Sequence, residues 1–177
     1  YEDKDWSENE KAYAAMISRM DAGIGKIFDL LQKLEIDDNT YVFFTSDNGA
    51  AKRWDNIDSC GPLRGLKRDV YEGGIRVPML VRAPGKVPAG QVSDLPWYFP
   101  DVLPTLAEIA SGKNPKNIDG VSVAPSLHGQ SQDLSKRVMY WEFYEKDGSR
   151  AVRFGDWKAV QYGMNKKPKK IELYNLE

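Results

Sequence analysis

The chain has 177 residues, 25 Lys and Arg against 26 Asp and Glu, and 41% hydrophobic residues, which fits one ordinary domain or one with a small appendage and supplies enough apolar material for a core. The formal net charge of −1 excludes binding to nucleic acid through an overall positive field. No apolar run approaches the ~18 residues of a membrane span, and the single cysteine, Cys60, excludes an intrachain disulfide or a multi-cysteine zinc site.

The chain opens Tyr1-Glu2-Asp3-Lys4-Asp5-Trp6, with no initiator Met, basic stretch or apolar leader, so it is expected to be a piece of a longer chain. Ser7 and Glu10 fit a capping box. After them Ala12, Ala15, Met16, Met20, Ile24, Ile27, Phe28, Leu31 and Leu34 recur at three- and four-residue intervals, predicting an amphipathic helix of about 25 residues. Gly23 and Gly25, unfavourable inside a helix, predict close packing on a neighbour.

Thr40 to Ser46 is β-branched and aromatic without alternation, which predicts a strand buried on both faces in a parallel sheet covered by helices. Residues 50–75 carry many charges and glycines and little periodicity, too long a stretch for a plain connector. Val77 to Arg82 is a second short strand, with Pro78 suited to an edge or to a first position. A second helix is predicted over Pro100–Ala110, with Pro104 in its first turn, and a further turn or two over Ser122–Leu127. Beyond residue 130 the character changes. Val138–Tyr144, Arg150–Phe154, Trp157–Tyr162 and Ile171–Tyr174 are short strands separated by Asp-Gly and Gly-Asp turns, an antiparallel meander. The expected organisation is an α/β part over 1–130 and a small antiparallel part over 131–177. Lys166-Lys167-Pro168-Lys169-Lys170 reads as a solvated hairpin tip.

Several residues could carry chemistry. Asp47 and Asn48 put a carboxylate and an amide carbonyl at a strand end, donors suited to Ca²⁺ or Mg²⁺; the tripeptide Asp47-Asn48-Gly49 is equally a common turn. Lys67 lies in the glycine-punctuated run Gly61-Pro62-Leu63-Arg64-Gly65-Leu66-Lys67, suited to holding an oxyanion or to facing solvent. His128, the only histidine, sits before Gly129, where a helix end explains it.

Phe43-Phe44-Thr45-Ser46-Asp47-Asn48-Gly49-Ala50, Gly61 to Lys67 and Tyr71-Glu72-Gly73-Gly74-Ile75-Arg76-Val77-Pro78 together resemble the type I sulfatases, the formylglycine-dependent sulfate-ester hydrolases of the alkaline phosphatase superfamily. The likeness continues through Asp101 to Ala107, Ile118 to Ser122, Gly155-Asp156-Trp157-Lys158 and Glu172 to Leu176. It covers nearly the whole chain, in family order, but only the C-terminal part of such an enzyme. It implies an alkaline-phosphatase-like α/β fold, with parallel-sheet strands, flanking helices and a small C-terminal antiparallel sheet. By the same resemblance, Asp47 and Asn48 would be ligands of a single Ca²⁺ and Lys67 the catalytic, sulfate-binding lysine, with Glu72-Gly73-Gly74 and Arg76 shaping the loop.

In the family a hydrated formylglycine attacks sulfur, the alcohol leaves and the covalent sulfate is then eliminated. That residue arises from a Cys-x-Pro-Ser-Arg motif in the missing N-terminal part. Cys60-Gly61-Pro62-Leu63-Arg64 copies the spacing, but Leu63 stands where the motif has Ser, and the stretch also fits the lysine loop. The implied partners are a sulfated small molecule or glycan and the missing N-terminal part of the same chain. The implied location is periplasmic, secreted or lysosomal. Two rival readings are a phosphodiesterase-type member of the superfamily and a non-catalytic module whose Trp141, Phe143, Trp157 and Tyr162 hold a carbohydrate or a partner.

Overall fold

Ser7 and Glu10 open helix α1 (Glu8–Lys33) in the computed structural model, which describes residues 1–177. The Ser7 hydroxyl oxygen accepts from the Glu10 N–H at 3.4 Å, and the Glu10 carboxylate accepts from the Ser7 N–H at 2.9 Å. This is the reciprocal cap predicted from the sequence. The expectation for Gly23 and Gly25 is corrected: a Cβ built at either meets nothing within 4 Å. Met16, Met20, Ile27, Leu30 and Leu34 are exposed, and only Glu10 and Ala14 of the helix are buried. Periodicity tells which residues share a face and is silent on what covers it.

The chain folds as two compact units, Tyr1–Ala83 and Pro84–Glu177. In the first, β1 (Val42–Thr45) pairs with β2 (Met79–Arg82), Val42 opposite Arg82 and Thr45 opposite Met79. The pairing is antiparallel, which corrects the parallel arrangement expected for β1, and the strand is half-buried with Phe44 exposed. An all-apolar run shows that both faces are fit for covering; the direction of the neighbour is set by the connection, which here returns to the same end of the sheet. Residues 46–78 therefore form one excursion whose two ends meet, and the Thr45 hydroxyl donates to the Pro78 carbonyl across that base at 2.9 Å. Pro78 immediately precedes the first residue of β2, where its missing N–H leaves no ladder bond unmade. At the other end of the pair Arg82 forks onto Asp37, in the 3₁₀ turn Asp37–Asn39, at 2.5 and 2.7 Å. Those bonds hold the Asp37 carboxyl below its ordinary range.

The second unit is organised around Asp101, which has no solvent exposure. The 3₁₀ turn Phe99–Asp101 runs into helix α3 (Val102–Ser111), and Gly112 ends that helix at φ 66°. The Asp101 carboxylate accepts from the Tyr98 N–H and the Val121 N–H, each at 2.9 Å, and from both terminal nitrogens of Arg137, Nη1 at 2.7 Å. The Thr105 hydroxyl accepts from the Val123 N–H at 3.0 Å, which seats the single-turn helix α4 (Ala124–Leu127). His128 caps α4, with Gly129 following at φ 79°, the helix-end role expected of it.

Strands β3 (Val138–Phe143), β4 (Ser149–Phe154), β5 (Trp157–Tyr162) and β6 (Glu172–Asn175) form the predicted antiparallel meander in sequential order. Its turns use left-handed backbone at Lys146, Asp147, Gly148 and Gly155. Met139, Ala151, Lys158 and Val160 are buried on one face. The register and alternation put Trp141, Phe143 and Tyr162 on that same face and Trp157 on the open one. Trp141 meets Tyr98 edge-on at 5.5 Å and has the Lys158 ammonium 5.4 Å from its ring centre. Trp141 is thus a packing residue, and Phe143 and Tyr162 share its face half-buried. The lysine cluster lies in the exposed turn before β6, where Lys166 pairs with Asp147 at 2.6 Å.

Candidate active site

The excursion between β1 and β2 carries every residue singled out for chemistry at the anion and the metal. Asp47 is exposed and Asn48 half-buried, directly beyond the end of β1. The Ser46 hydroxyl donates to the Asn48 carbonyl at 2.9 Å and fixes the bend. Lys67 is exposed, far along the chain, and two main-chain bonds bring its segment back to this bend. The Lys67 N–H donates to the Ala50 carbonyl at 2.8 Å, and the Gly49 N–H donates to the Gly74 carbonyl at 2.9 Å.

Glycines make this approach possible. A Cβ on Gly49 would stand 1.8 Å from the Gly73 carbonyl oxygen; one on Gly73 would stand 2.2 Å from that of Gly65, and one on Gly74 2.1 Å from that of Asp69. All of these obstacles are backbone, so no side-chain movement relieves them. Gly73 and Gly74 are buried in the four-residue helix α2 (Glu72–Ile75), and the Gly73 N–H donates to the Arg64 carbonyl at 2.7 Å. Three strands of main chain, 48–50, 64–67 and 72–74, lie against one another with no side chain between them. This is the physical content of the loop-shaping role expected of Glu72-Gly73-Gly74.

Lys67 itself sits in a tight turn. The Asp69 N–H donates to the Leu66 carbonyl at 2.9 Å, and the Asp69 carboxylate accepts from the Leu66 N–H at 3.0 Å. Arg68, third in this turn, has φ 77°, while Lys67 is not left-handed. That combination is the type II turn, whose third position favours glycine. A residue with a side chain there costs roughly 1–2 kcal/mol.

The outer part of the excursion is fastened by charge. The Arg53 guanidinium pairs with Asp58 and donates to the Gly61 carbonyl at 3.0 Å and to the Leu63 carbonyl. Glu10, the cap of α1, accepts from the Asn56 N–H at 2.7 Å and from the Asn56 side-chain amide at 3.2 Å. The Ser7 hydroxyl, then the Asn56 N–H, hold the Glu10 carboxyl down to about 2. Cys60 is buried, its Sγ 3.7 Å from the Gly73 carbonyl, so it packs beneath the glycine pair.

Asp47, Asn48 and Lys67 are thus brought into one loop system. Asp47 and Asn48 are oxygen donors of the kind that hard cations take, but no group of three or more His, Cys, Asp or Glu converges among the described residues. The glycine contacts, the left-handed Arg68 and the second duty of Glu10 were not read from the sequence; the Gly49, Gly65, Gly73-Gly74 spacing was their one visible trace.

Comparison with known proteins identifies the family. The family model described as Sulfatase matches residues 1–113, and the one described as N-sulphoglucosamine sulphohydrolase, C-terminal, matches 66–177. The chain is 37% identical over 151 residues to the N-acetylgalactosamine-6-sulfatase of Canis lupus familiaris, covering 83% of this chain and 28% of that protein. Among solved structures, Ps i-CgsB in complex with k-i-k-neocarrahexaose superposes with a TM-score of 0.83 at 31% identity, over 96% of this chain and 37% of that one. BT4656 in complex with its substrate D-glucosamine-2-N,6-O-disulfate gives 0.75 at 26% identity, over 93% and 33%. The chain therefore spans under two fifths of the proteins it matches, and carries the C-terminal part of an alkaline-phosphatase-like α/β fold. It belongs to the sulfatase family.

Proposed function

We propose that the chain is the C-terminal portion of an enzyme that hydrolyses sulfate esters of a small molecule or glycan, with Asp47 and Asn48 as ligands of one Ca²⁺ and Lys67 as the sulfate-binding, catalytic lysine. The observation that carries this is the pair of main-chain bonds, Lys67 to Ala50 and Gly49 to Gly74, which hold the lysine turn against the Asp47-Asn48 bend. The Lys67 ammonium would hold a sulfuryl oxygen and the leaving-group oxygen, where negative charge develops as the ester bond breaks. Asp47, with a carboxylate, and Asn48, with a carbonyl oxygen, would supply two or three of the six to eight oxygens that Ca²⁺ takes. That ion, when bound, would draw charge from the sulfuryl oxygens.

The nucleophile, a formylglycine in this family by resemblance, is assigned to chain outside residues 1–177, and residues 1–130 to the catalytic α/β part with 131–177 as a small appended sheet. The exposed apolar stripe of α1 suits contact with that further chain, and a location outside the cytosol follows the same resemblance.

The test is to express the chain in continuity with its upstream segment in cells that make formylglycine, and to assay hydrolysis of aryl sulfates and sulfated saccharides. Asp47→Ala and Lys67→Ala are each expected to lower kcat/KM by about 10²–10³. Wild-type turnover by either variant would remove the role assigned to that residue.

A further inference from the structure

Arg68 occupies a place where a side chain is unfavourable. It is exposed, it follows Lys67 directly, and it holds φ 77° at the third position of the Leu66–Asp69 turn. The turn is closed twice, by the Asp69 N–H on the Leu66 carbonyl and by the Leu66 N–H on the Asp69 carboxylate. The backbone is thus fixed from both ends while its strained residue carries a guanidinium. Glycine would satisfy this conformation at no cost. Left-handed non-glycine residues held by closed hydrogen bonds concentrate at functional sites.

Resting on the sulfatase reading above, we propose that Arg68 is a specificity-determining residue. Its guanidinium binds a second anionic substituent, a sulfate or a carboxylate, on a saccharide whose scissile sulfate is held by Lys67. Lys67 and Arg68 are consecutive, exposed cations of one turn, their Cα atoms about 3.8 Å apart. A planar guanidinium fits a sulfate or carboxylate through two parallel bonds, and it keeps its charge at every working pH. A substrate with one anionic group would engage Lys67 alone. One with two on neighbouring positions would engage both residues.

The experiment compares the wild-type enzyme, upstream residues included, with Arg68→Gly and Arg68→Lys. Substrates are a monosulfated saccharide, the same saccharide with a second sulfate, and the same with a carboxylate. Arg68→Gly relieves the backbone, so a turn-shaping role alone predicts equal or better action on all three. The proposal predicts that Arg68→Gly lowers the di-anionic over mono-anionic ratio of kcat/KM about tenfold, through KM, a change of about 1.4 kcal/mol. Arg68→Lys should retain part of the ratio. Whichever second group shows the larger loss identifies it as sulfate or carboxylate. Ratios unchanged by Arg68→Gly overturn the proposal. Calorimetric binding of the same three saccharides decides it separately from turnover. Absence of hydrolysis by the wild type counts against the sulfatase reading, whereas equal affinity of wild type and Arg68→Gly for each di-anionic saccharide counts against Arg68.

Discussion

The N–H of Lys67 donates to the carbonyl of Ala50 at 2.8 Å, two residues beyond Asn48. The relation between the candidate anion-binding lysine and the candidate metal ligands is therefore set by main chain. Side-chain substitutions at the rim leave this relation in place, and the vulnerable positions are those where a side chain would push the backbones apart.

Gly49 and Gly73 are two such positions. Gly49→Ala and Gly73→Ala each force a methyl into backbone closer than 2.5 Å, at 1.8 and 2.2 Å, and are expected to destabilise the first unit by about 3 kcal/mol or more. Gly25→Ala, with nothing within 4 Å, is expected to stabilise it by about 1 kcal/mol through helix propensity. Urea denaturation of the three variants against wild type measures both signs. Equal effects at Gly49 and Gly25 would refute the close packing.

Glu10 gives the first unit an acid limb. Its carboxyl is lowered to about 2 by the Ser7 hydroxyl and the Asn56 amide groups. A carboxyl depressed in the fold binds its proton more readily in the unfolded chain. Its stabilisation is therefore full above the unfolded value near 4.5 and is lost as pH falls toward the folded value near 2. Glu10→Gln should lower stability at neutral pH and flatten the dependence between those limits. Thermal melts from pH 7 to pH 2 read this directly; an unaltered slope in the variant would contradict it.

The Asp101–Arg137 pair is enclosed, its side chains 0% and 9% exposed. Removing one partner leaves the other charge buried alone, so Asp101→Ala and Arg137→Ala should each cost about 3–5 kcal/mol. The double variant should cost clearly less than the two added together. Chemical denaturation of the four proteins closes the cycle, and simple additivity would show that the two side chains act separately.

Calcium binding by residues 1–177 alone is expected to be no tighter than about millimolar, because Asp47 and Asn48 supply only two or three oxygens. Titration calorimetry with CaCl₂ checks this. A micromolar dissociation constant abolished by Asp47→Ala would mean that a whole shell is assembled within this chain.

Local signals were legible in the sequence because they rest on nearest neighbours. The Ser7–Glu10 cap, α1, the presence of α3 and the aromatic meander with its Asp-Gly turns all depend on residues within a few positions of one another. The direction of β1 was not legible, since a run of Val42, Phe43 and Phe44 suits either orientation. Gly23 and Gly25 misled because a helix glycine signals an absent side chain and nothing about a neighbour. At the site, Asp47, Asn48 and Lys67 were singled out from a strand end and a glycine-punctuated run, and their roles were expected from resemblance over long stretches. The contacts that unite them, Gly49 to Gly74 and Lys67 to Ala50, join residues 17 to 25 positions apart and leave no periodic mark.

The excursion leaves the sheet at Thr45 and returns opposite it at Met79. With its two feet already side by side, doubling its length adds only about 0.6 kcal/mol of closure entropy. Its outer arc around residues 52–59, pinned by the Arg53–Asp58 pair and by Asn56 on Glu10, can lengthen between those pins at little entropic cost while the knot of glycines near the base stays as it is.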